Sequence, residues 1–270
     1  MSQLVAGSER AKSVTAVLAS KGYLDQLRAA TPRDVDPARV ARIVLTCVRQ
    51  SEKLAACTVD SLLGAGMICA QTGLEPGPIG HAAIVPYKGK AQWQAMFKGL
   101  LHLTYRSNKV SAAQAGVVYE ADEFDFEEGS AASVHWKRSL AEDRGARVAA
   151  FASINPHQGP PLVRVAGWHE IERIRKQYSK DPRSDAAWVT ETDEMACKTM
   201  LKRTLKLAPI SVEAGLAISY DDQSDLGKEQ VVTGGEVVDQ RPQSDYCNKP
   251  LGASGLVCGD QPGHEGECTP

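Results

Sequence analysis

Apolar residues return every three to four positions in five segments of the chain, which predicts amphipathic helices. One helix begins at Pro37, where a missing N–H costs nothing. Another follows Thr58, a candidate N-cap, and ends at Gly73, the residue type favoured just after a last helical turn. Three further helices are predicted over residues 92–106, 169–180 and 190–208.

Other segments alternate apolar and polar residues, which predicts strands that are buried on one face. Short strands are expected over residues 82–85, 117–119 and 124–126. Residues 147–154 and 162–166 flank a turn rich in proline and glycine and predict a hairpin. Together these patterns predict an α+β fold in which a small antiparallel sheet packs with helices.

Composition narrows the class of protein. Of the 270 residues, 43% are hydrophobic and 24% charged, as in ordinary globular proteins. The best apolar run is interrupted by Asp60 and by glycines, and none approaches the roughly 18 to 20 residues that a membrane helix needs. The first residues lack the apolar core of a secretion signal. We therefore expect a cytoplasmic protein without a membrane partner, with reduced cysteines in its helices.

Charge divides the chain unevenly. Residues 1–212 carry 28 basic and 22 acidic side chains, a net +6, whereas residues 213–270 carry 3 and 11, a net −8. We interpret this as an N-terminal helical arm (1–36), a core (37–212), a disordered acidic linker (213–246) and a small C-terminal module (247–270). The alternative is an acidic linker that serves only solubility.

Residues 81–110 contain five lysines or arginines and no aspartate or glutamate. Cations can hold phosphates and aromatic rings can stack on bases, so this strand-turn-helix predicts a nucleic-acid surface. Trp93 and Phe97 are expected in the core. The candidate DNA contacts are Tyr87, Lys88, Lys90, Gln92, Gln94, Lys98, His102, Tyr105 and Arg106.

A second cationic row lies on the helix predicted over 190–208. It consists of Lys198, Lys202, Arg203 and Lys206. Four-residue steps place charges about 6 Å apart along a helix, close to the phosphate spacing of one nucleic-acid strand. The alternative is an ordinary solvated helix face. With the first surface, this row predicts the two walls of a DNA groove.

An acidic run suggests a different function. It consists of Glu120, Asp122, Glu123, Asp125, Glu127 and Glu128, and paired carboxylates can hold the metal ions of a nuclease. Alternation along a strand would send half of them to the wrong face, which favours a solvated strand that pairs with a basic surface of a neighbouring subunit. Phosphate-loop and dinucleotide motifs are absent from the sequence, so neither an ATPase nor a dehydrogenase is predicted.

The last 24 residues contain Cys247, Cys258, His264 and Cys268, spaced C-x10-C-x5-H-x3-C. Thiolates and imidazole are the ligands of structural zinc, and a segment this small cannot build an apolar core. The pattern predicts a Cys3His zinc module. The alternative is a glycine-rich tail with reactive thiols, and a zinc-bearing interaction protein is a further functional alternative.

Several motifs resemble, in order and spacing, the RecT family of phage recombinases over residues 40–212. They are CAQTGLEP at 69–76, GHA at 80–82, IVPY at 84–87, FKGL at 97–100, YRS at 105–107, VYEADEF at 118–124, His135, Arg144-Gly145, and the run 188–209 with EMACKT and LKR. Phe97 departs from the family, which often has tyrosine there.

The resemblance implies a protein without catalytic activity that anneals complementary DNA strands and needs no ATP or other cofactor to do so. It implies a core that oligomerises into rings or helical filaments on single-stranded DNA and on the annealed duplex. It also implies a cognate exonuclease and the host single-strand-binding protein as partners, in the bacterial cytoplasm.

Overall fold

The computed structural model describes residues 15–32, 35–178, 187–230 and 232 of the chain. These residues lie within Met1–Val232, the first of two units into which the chain divides. None of the helices they form combines the length and the apolar character required to cross a bilayer. The fold is α+β, with small antiparallel sheets packed against helices, which confirms the predicted class.

The N-terminal part of this unit is helical. Its helices are α1 (Lys21–Ala30), α2 (Pro37–Gln50), α3 (Glu52–Ala55) and α4 (Val59–Thr72). Pro37 occupies the first turn of α2, where the Asp36 carboxylate accepts a hydrogen bond from the Ala38 N–H. Helix α4 ends at Gly73, whose φ of +68° is the left-handed conformation that glycine adopts without strain. Both predicted helix boundaries are confirmed.

Helix α1 falls within the predicted N-terminal arm, and it packs on the core. Leu27 is fully buried, and the Tyr23 hydroxyl donates a hydrogen bond to the Leu63 carbonyl of α4 at 2.9 Å. A Cβ at Gly66 would collide with that hydroxyl, so glycine allows the two helices to approach. The contacts tie α1 to the same folded unit as α4.

Three antiparallel sheets follow. They are the hairpin of β1 (Ala82–Tyr87) and β2 (Lys90–Ala95), the hairpin of β4 (Glu123–Glu127) and β5 (Ser133–Lys137), and a three-stranded sheet of β3 (Val110–Tyr119), β6 (Arg147–Pro156) and β7 (Leu162–Gly167) in the order β3–β6–β7. The predicted hairpin across residues 147–166 is confirmed as β6 and β7.

Five helices complete the described elements. They are α5 (Phe97–Arg106), α6 (Trp168–Tyr178), α7 (Ala187–Thr190), α8 (Thr192–Leu205) and α9 (Val212–Asp225). Helix α8 packs on β3 and β6, whereas α9 packs on β2, α4 and α5. Strand β6 alternates between two cores: Ala150 and Ala152 pack with the helices, and Phe151 packs with Trp136 of the β4–β5 hairpin.

The helix predicted over residues 92–106 is wrong in its first turn. Residues 90–95 form β2, and the helix begins only at Phe97. Lys88 and Gly89 both have positive φ, which makes a two-residue type I′ turn and folds the chain back onto β1. Trp93 is buried as expected, but on a strand. Turn chemistry here outweighs helical periodicity.

The prediction of a disordered linker beginning at residue 213 is wrong for residues 213–225, which belong to α9. The Ser211 hydroxyl caps this helix by accepting from the Ala214 N–H. Ala217 and Tyr220 bury against the core. Few large aliphatic residues suffice because small ones fit closely against α4 and β2. Residues 233–246 lie outside the described part of the chain.

Candidate nucleic-acid interface

The tip of the β1–β2 hairpin presents a cation to solvent. Lys88 is exposed at a φ of +48°, and its ammonium group lies 5.2 Å from the centroid of the half-buried Tyr87 ring. Across the turn, Lys90 forms an ion pair with Glu229 at 2.7 Å. Of the residues predicted at this tip, Lys88 and Tyr87 therefore form the accessible pair.

Gln92 and Gln94 are bound within the protein, which corrects their assignment as DNA contacts. The Gln92 amide donates to the Lys228 carbonyl at 2.9 Å, and the Gln94 amide donates to the Ser224 hydroxyl at 3.0 Å. Ser224 belongs to α9 and Lys228 follows it. The two amides thus hold the hairpin against α9.

Side chains, rather than another strand, close the outer edge of β2. Ala91 N–H donates to Ser61 Oγ at 2.8 Å, Trp93 N–H to Gln230 Oε1 at 2.7 Å, and Ala95 N–H to Asp221 Oδ1 at 3.1 Å. The acceptors come from α4, α9 and the segment after α9. An exposed strand edge would invite pairing with another chain, and these caps remove that risk.

On α5, Lys98 and His102 lie one turn apart and are exposed. The His102 ring stacks on the His81 ring with centroids 4.6 Å apart. Gly99 makes this approach possible, because a Cβ there would collide with the His81 carbonyl. Lys98 supplies an accessible cation and His102 an accessible imidazole on this face of α5.

The last turn of α5 contains two predicted contacts with different outcomes. The Tyr105 hydroxyl donates to the Ala113 carbonyl at 3.1 Å and accepts from the Ala113 N–H at 2.9 Å, which fixes a ring that is 47% exposed. Arg106 instead donates to the Thr72 carbonyl at the end of α4, at 3.1 Å. Tyr105 is therefore a rigid stacking candidate, while Arg106 caps a helix.

The lysine row of α8 faces the protein interior. Lys198 and Lys202 are only 6% and 7% exposed, and both ammonium groups donate to Asp221 of α9, at 2.9 and 2.8 Å. Lys202 also donates to Asp225. Neither the predicted DNA contact nor the alternative of a solvated helix face fits these two buried lysines, because α9 supplies their counter-charges.

The acids of α9 match the helical spacing of the lysines. Asp221, Asp222 and Asp225 lie within two turns on one side of α9, and Lys206 pairs with Asp222 at 2.6 Å. Three carboxylates therefore face the three lysines of α8. Burial of charge is tolerated in such a cluster because each ion has partners of opposite sign.

Two of these carboxylates, Asp221 and Asp225, have pKa values shifted in opposite directions. Burial alone would raise the pKa of Asp221, but the charges of Lys198 and Lys202 lower it below its ordinary value. Burial would lower the pKa of Lys202, but Asp221 and Asp225 raise it. For Asp225, burial and the neighbouring Asp221 charge raise the pKa. Asp221 is therefore the ionised anchor of the cluster, whereas Asp225 ionises less readily.

Helix α9 occupies the space between the two predicted groove walls. Asp221 contacts both walls at once, since it accepts from Ala95 N–H of β2 and from the α8 lysines. Ser224, one turn away, accepts from Gln94. The predicted open groove between the hairpin and α8 is filled by a segment that sequence reasoning assigned to a linker.

An open cleft of about 300 Å³ remains between α6, α8 and α9. Its charged lining comprises Arg173, Lys198, Lys202, Arg203, Lys206, Glu170, Asp222 and Asp225. Arg203, a predicted DNA contact, donates to Glu170 at 2.9 Å. Counted with Asp221, which pairs with Lys198 and Lys202 directly behind the lining, the described residues set five cations against four acids, an excess of one positive charge that favours an anion.

Sequence reasoning missed the contribution of α6 to this cleft. Arg173 lies in a run of mixed charges that is typical of a solvated helix, and Tyr178 ends that run. Their place in a cleft becomes evident only from the tertiary structure, in which α6 lies beside α8. The four-residue spacing of Asp221 and Asp225 matches that of the lysines and is a signal that the sequence itself carries.

The acidic run at residues 120–128 is dispersed among separate partners. Asp122 pairs with Arg144 and accepts from the Trp136 indole at 3.1 Å. Burial would raise its pKa, but the Arg144 hydrogen bonds hold it well below the ordinary value. Glu123 pairs with Lys137 at 2.8 Å. These carboxylates stabilise the β4–β5 hairpin, which weakens the nuclease alternative.

The predicted zinc ligands Cys247, Cys258, His264 and Cys268 lie outside the described residues, and the zinc module stays a prediction. Within the described ranges, no group of three or more His, Cys, Asp or Glu side chains is arranged to hold a metal ion.

Burial raises the thiol pKa of Cys69 and Cys197, the latter to about 12. Both thiols therefore favour the protonated form at neutral pH.

Comparison with known proteins gives a concordant result. A family model described as RecT family matches residues 38–234, a range that includes α9. The Protein RecT of Escherichia coli (strain K12) is 32% identical over 211 residues, which cover 75% of this chain and 77% of that protein. The uncharacterized protein YqaK of Bacillus subtilis (strain 168) is 28% identical over 208 residues, 70% of this chain and 67% of that protein.

Proposed function

The chain belongs to the RecT family of recombination proteins, and we propose that it binds single-stranded DNA and anneals complementary strands without ATP. The observation that carries the proposal is the family match, which spans the whole described core from α2 to α9. Strand annealing needs no covalent bond to be made or broken in the DNA. On this proposal the protein is a DNA-binding protein rather than an enzyme.

The surface that best supports DNA contact lies on the hairpin tip and α5. Lys88, Lys98 and His102 are exposed there, and residues 81–110 contain no acidic side chain. The ring of Tyr105 is fixed and accessible beside them in sequence. Cations would hold the phosphates, and an aromatic face would stack on a base irrespective of sequence.

Such contacts would leave base edges free to test a second strand. Phosphate contacts position a strand without reading it, so discrimination comes from base pairing itself. Matched pairing supplies about 1.4 kcal/mol per stacked step, while the protein contacts remain neutral to sequence. Annealing would then be driven by the pairing, and the protein would lower the cost of aligning the strands.

Three further parts of the proposal follow from family membership. Copies of the chain would assemble into a ring or filament on the DNA. A cognate exonuclease would supply single strands, and the host single-strand-binding protein would meet this chain on them. The site of action would be the bacterial cytoplasm.

Annealing of two complementary labelled oligonucleotides tests the proposal directly. With the purified full-length protein, we expect faster duplex formation in EDTA and without nucleotide, and binding that weakens steeply with salt. A rate equal to spontaneous annealing, together with no strand binding at low salt, would contradict the proposal. Magnesium-dependent degradation of the labelled strand would instead support the nuclease alternative.

A further inference from the structure

The cleft between α6, α8 and α9 has a weakly held cation, Arg173, on its rim. The side chain of Arg173 is 78% exposed, and its nearest acid, Glu170, lies 4.0 Å away. Glu170 is already engaged by Arg203 at the shorter distance of 2.9 Å. Arg173 therefore retains donors for an incoming anion.

An aromatic ring stands on the same cleft. Tyr178 ends α6, lines the cleft and is 36% exposed. The cleft volume of about 300 Å³ lies at the lower end of the range of about 300–1,000 Å³ for sites that hold small ligands. A ring beside guanidinium and ammonium groups suits a ligand that carries both a base and a phosphate.

The acids in and behind the cleft differ in how easily a ligand could displace them from their lysine partners. Asp221 lies behind the cleft and is fully buried with three donors, so it is a structural anchor. Asp222 is partly exposed at the rim, where it pairs with Lys206 at 2.6 Å. A phosphodiester carries one negative charge on two free oxygens, as a carboxylate does, and can replace Asp222 at Lys206.

We propose that this cleft binds one nucleotide unit of a single DNA strand, with Asp222 as an internal competitor for its phosphate. Arg173, Arg203 and Lys206 would hold the phosphate, and Tyr178 would stack on the base. The inference rests on the proposed function, since it assigns a subsite to a strand that the protein is proposed to bind. It adds α6 to the DNA surface.

The loss of one phosphate contact tests the site. We measure binding of fluorescent oligo(dT) by anisotropy at several salt concentrations with the full chain. Arg173→Ala should weaken binding about fivefold and reduce the salt slope by about one. The matched control is Arg42→Ala, since Arg42 is also exposed, at 69%, and has a similarly loose ion pair with Asp36 at 3.5 Å. Equal behaviour of the two variants overturns the proposal.

The ring and the competitor are tested separately. Tyr178→Ala should weaken binding about threefold, and Tyr178→Phe should restore it because stacking needs the ring and not the hydroxyl. Asp222→Asn should tighten binding about threefold, whereas Asp125→Asn, which removes an exposed acid of β4, should change it less. An Asp222→Asn variant that binds no tighter than Asp125→Asn contradicts the competition.

Further outcomes show whether the ligand is a mononucleotide or a DNA strand. They also separate failure of the cleft proposal from failure of the proposed function. If free dAMP, and not oligo(dT), loses affinity in Arg173→Ala, the cleft binds a mononucleotide and the strand subsite is wrong. If the unaltered protein binds no single strand at low salt, the proposed function itself fails. Retained strand binding in Arg173→Ala, by contrast, overturns only the cleft.

Discussion

Helices α5 and α8 both carry cations at four-residue spacing, yet the two rows lie in opposite environments. Lys98 of α5 is exposed to solvent, whereas Lys202 of α8 is 7% exposed and surrounded by carboxylates. The two rows differ because α9 packs against α8 and places three aspartates beside its lysines. A row of cations in a sequence therefore predicts that anions lie beside it. It does not show whether those anions are phosphates of a ligand or carboxylates of the same protein.

The comparison also changes how a charge reversal of α8 should be understood. A row that only contacts DNA would allow the charge reversal Lys198→Glu with Lys202→Glu to remove those contacts and leave the fold intact. In the structure these changes would set five buried or half-buried carboxylates against each other around Asp221. We now expect that variant to unfold, so it cannot test DNA binding.

The largest effect is expected from removing the anchor of the α8 cluster. Asp221→Asn leaves Lys198 and Lys202 buried with too little counter-charge, and should lower the free energy of unfolding by about 3–5 kcal/mol. Urea denaturation followed by circular dichroism measures this loss. Asp125→Asn on the exposed face of β4 is the control and should stay within about 0.5 kcal/mol. Equal stabilities would show that the α8 row does not depend on α9.

The exposed row should give the reverse result, a loss of binding without a loss of stability. Lys98→Ala with His102→Ala removes two accessible donors and should weaken oligo(dT) binding about tenfold at low salt. Thermal unfolding should change little. The control is Lys21→Ala with Lys53→Ala, which removes two exposed cations from α1 and α3. If both pairs weaken binding alike, the effect is one of net charge and not of the α5 surface.

The smallest effect is expected at Asp225, the carboxylate of α9 that ionises less readily. The pKa of Asp225 is raised by burial and by Asp221, so folding favours its protonated form and its ionised form costs stability above that pKa. Asp225→Asn removes this cost but also the ionic bond to Lys202. At pH 7 we expect a change in unfolding free energy within about 1 kcal/mol.

The pH dependence sharpens this prediction. As the pH falls through the raised pKa of Asp225, the carboxyl becomes neutral like the amide, and the difference between the two proteins should shrink. Melting temperatures at pH 7 and pH 4 measure it. An Asp225→Asn variant as unstable as Asp221→Asn at pH 7 would show that both acids are anchors.

Much of the fold could be predicted because its signals are local. Pro37 and Gly73 mark helix ends through their own backbone preferences, and the β6–β7 hairpin shows strict alternation. Strand β2 was missed because its turn begins with Lys88 at a positive φ, a position where asparagine or glycine is the usual signal. The apolar spacing around Trp93 then fits a helix as well as a strand.

The candidate site was predicted less completely. Lys88, Lys98, His102 and Tyr105 are accessible, as their sequence neighbourhood suggested. Gln92 and Arg106 are less available to a ligand, because their side chains donate to backbone carbonyls that are distant in sequence. Residue type alone carries no information about such distant partners, and the same holds for Arg173 and Tyr178 of α6.

The sequence by itself determined the spacing of charges: helical rows of lysine on α8 and of aspartate on α9 follow from residue order and helix pitch. It also determined the family, through motifs that keep their order along the chain. Only the tertiary structure decided that these two rows pair, while Lys98 and His102 remain exposed. The physical reason is that a buried ion requires a partner of opposite charge, and packing alone selects which segment of the chain supplies it.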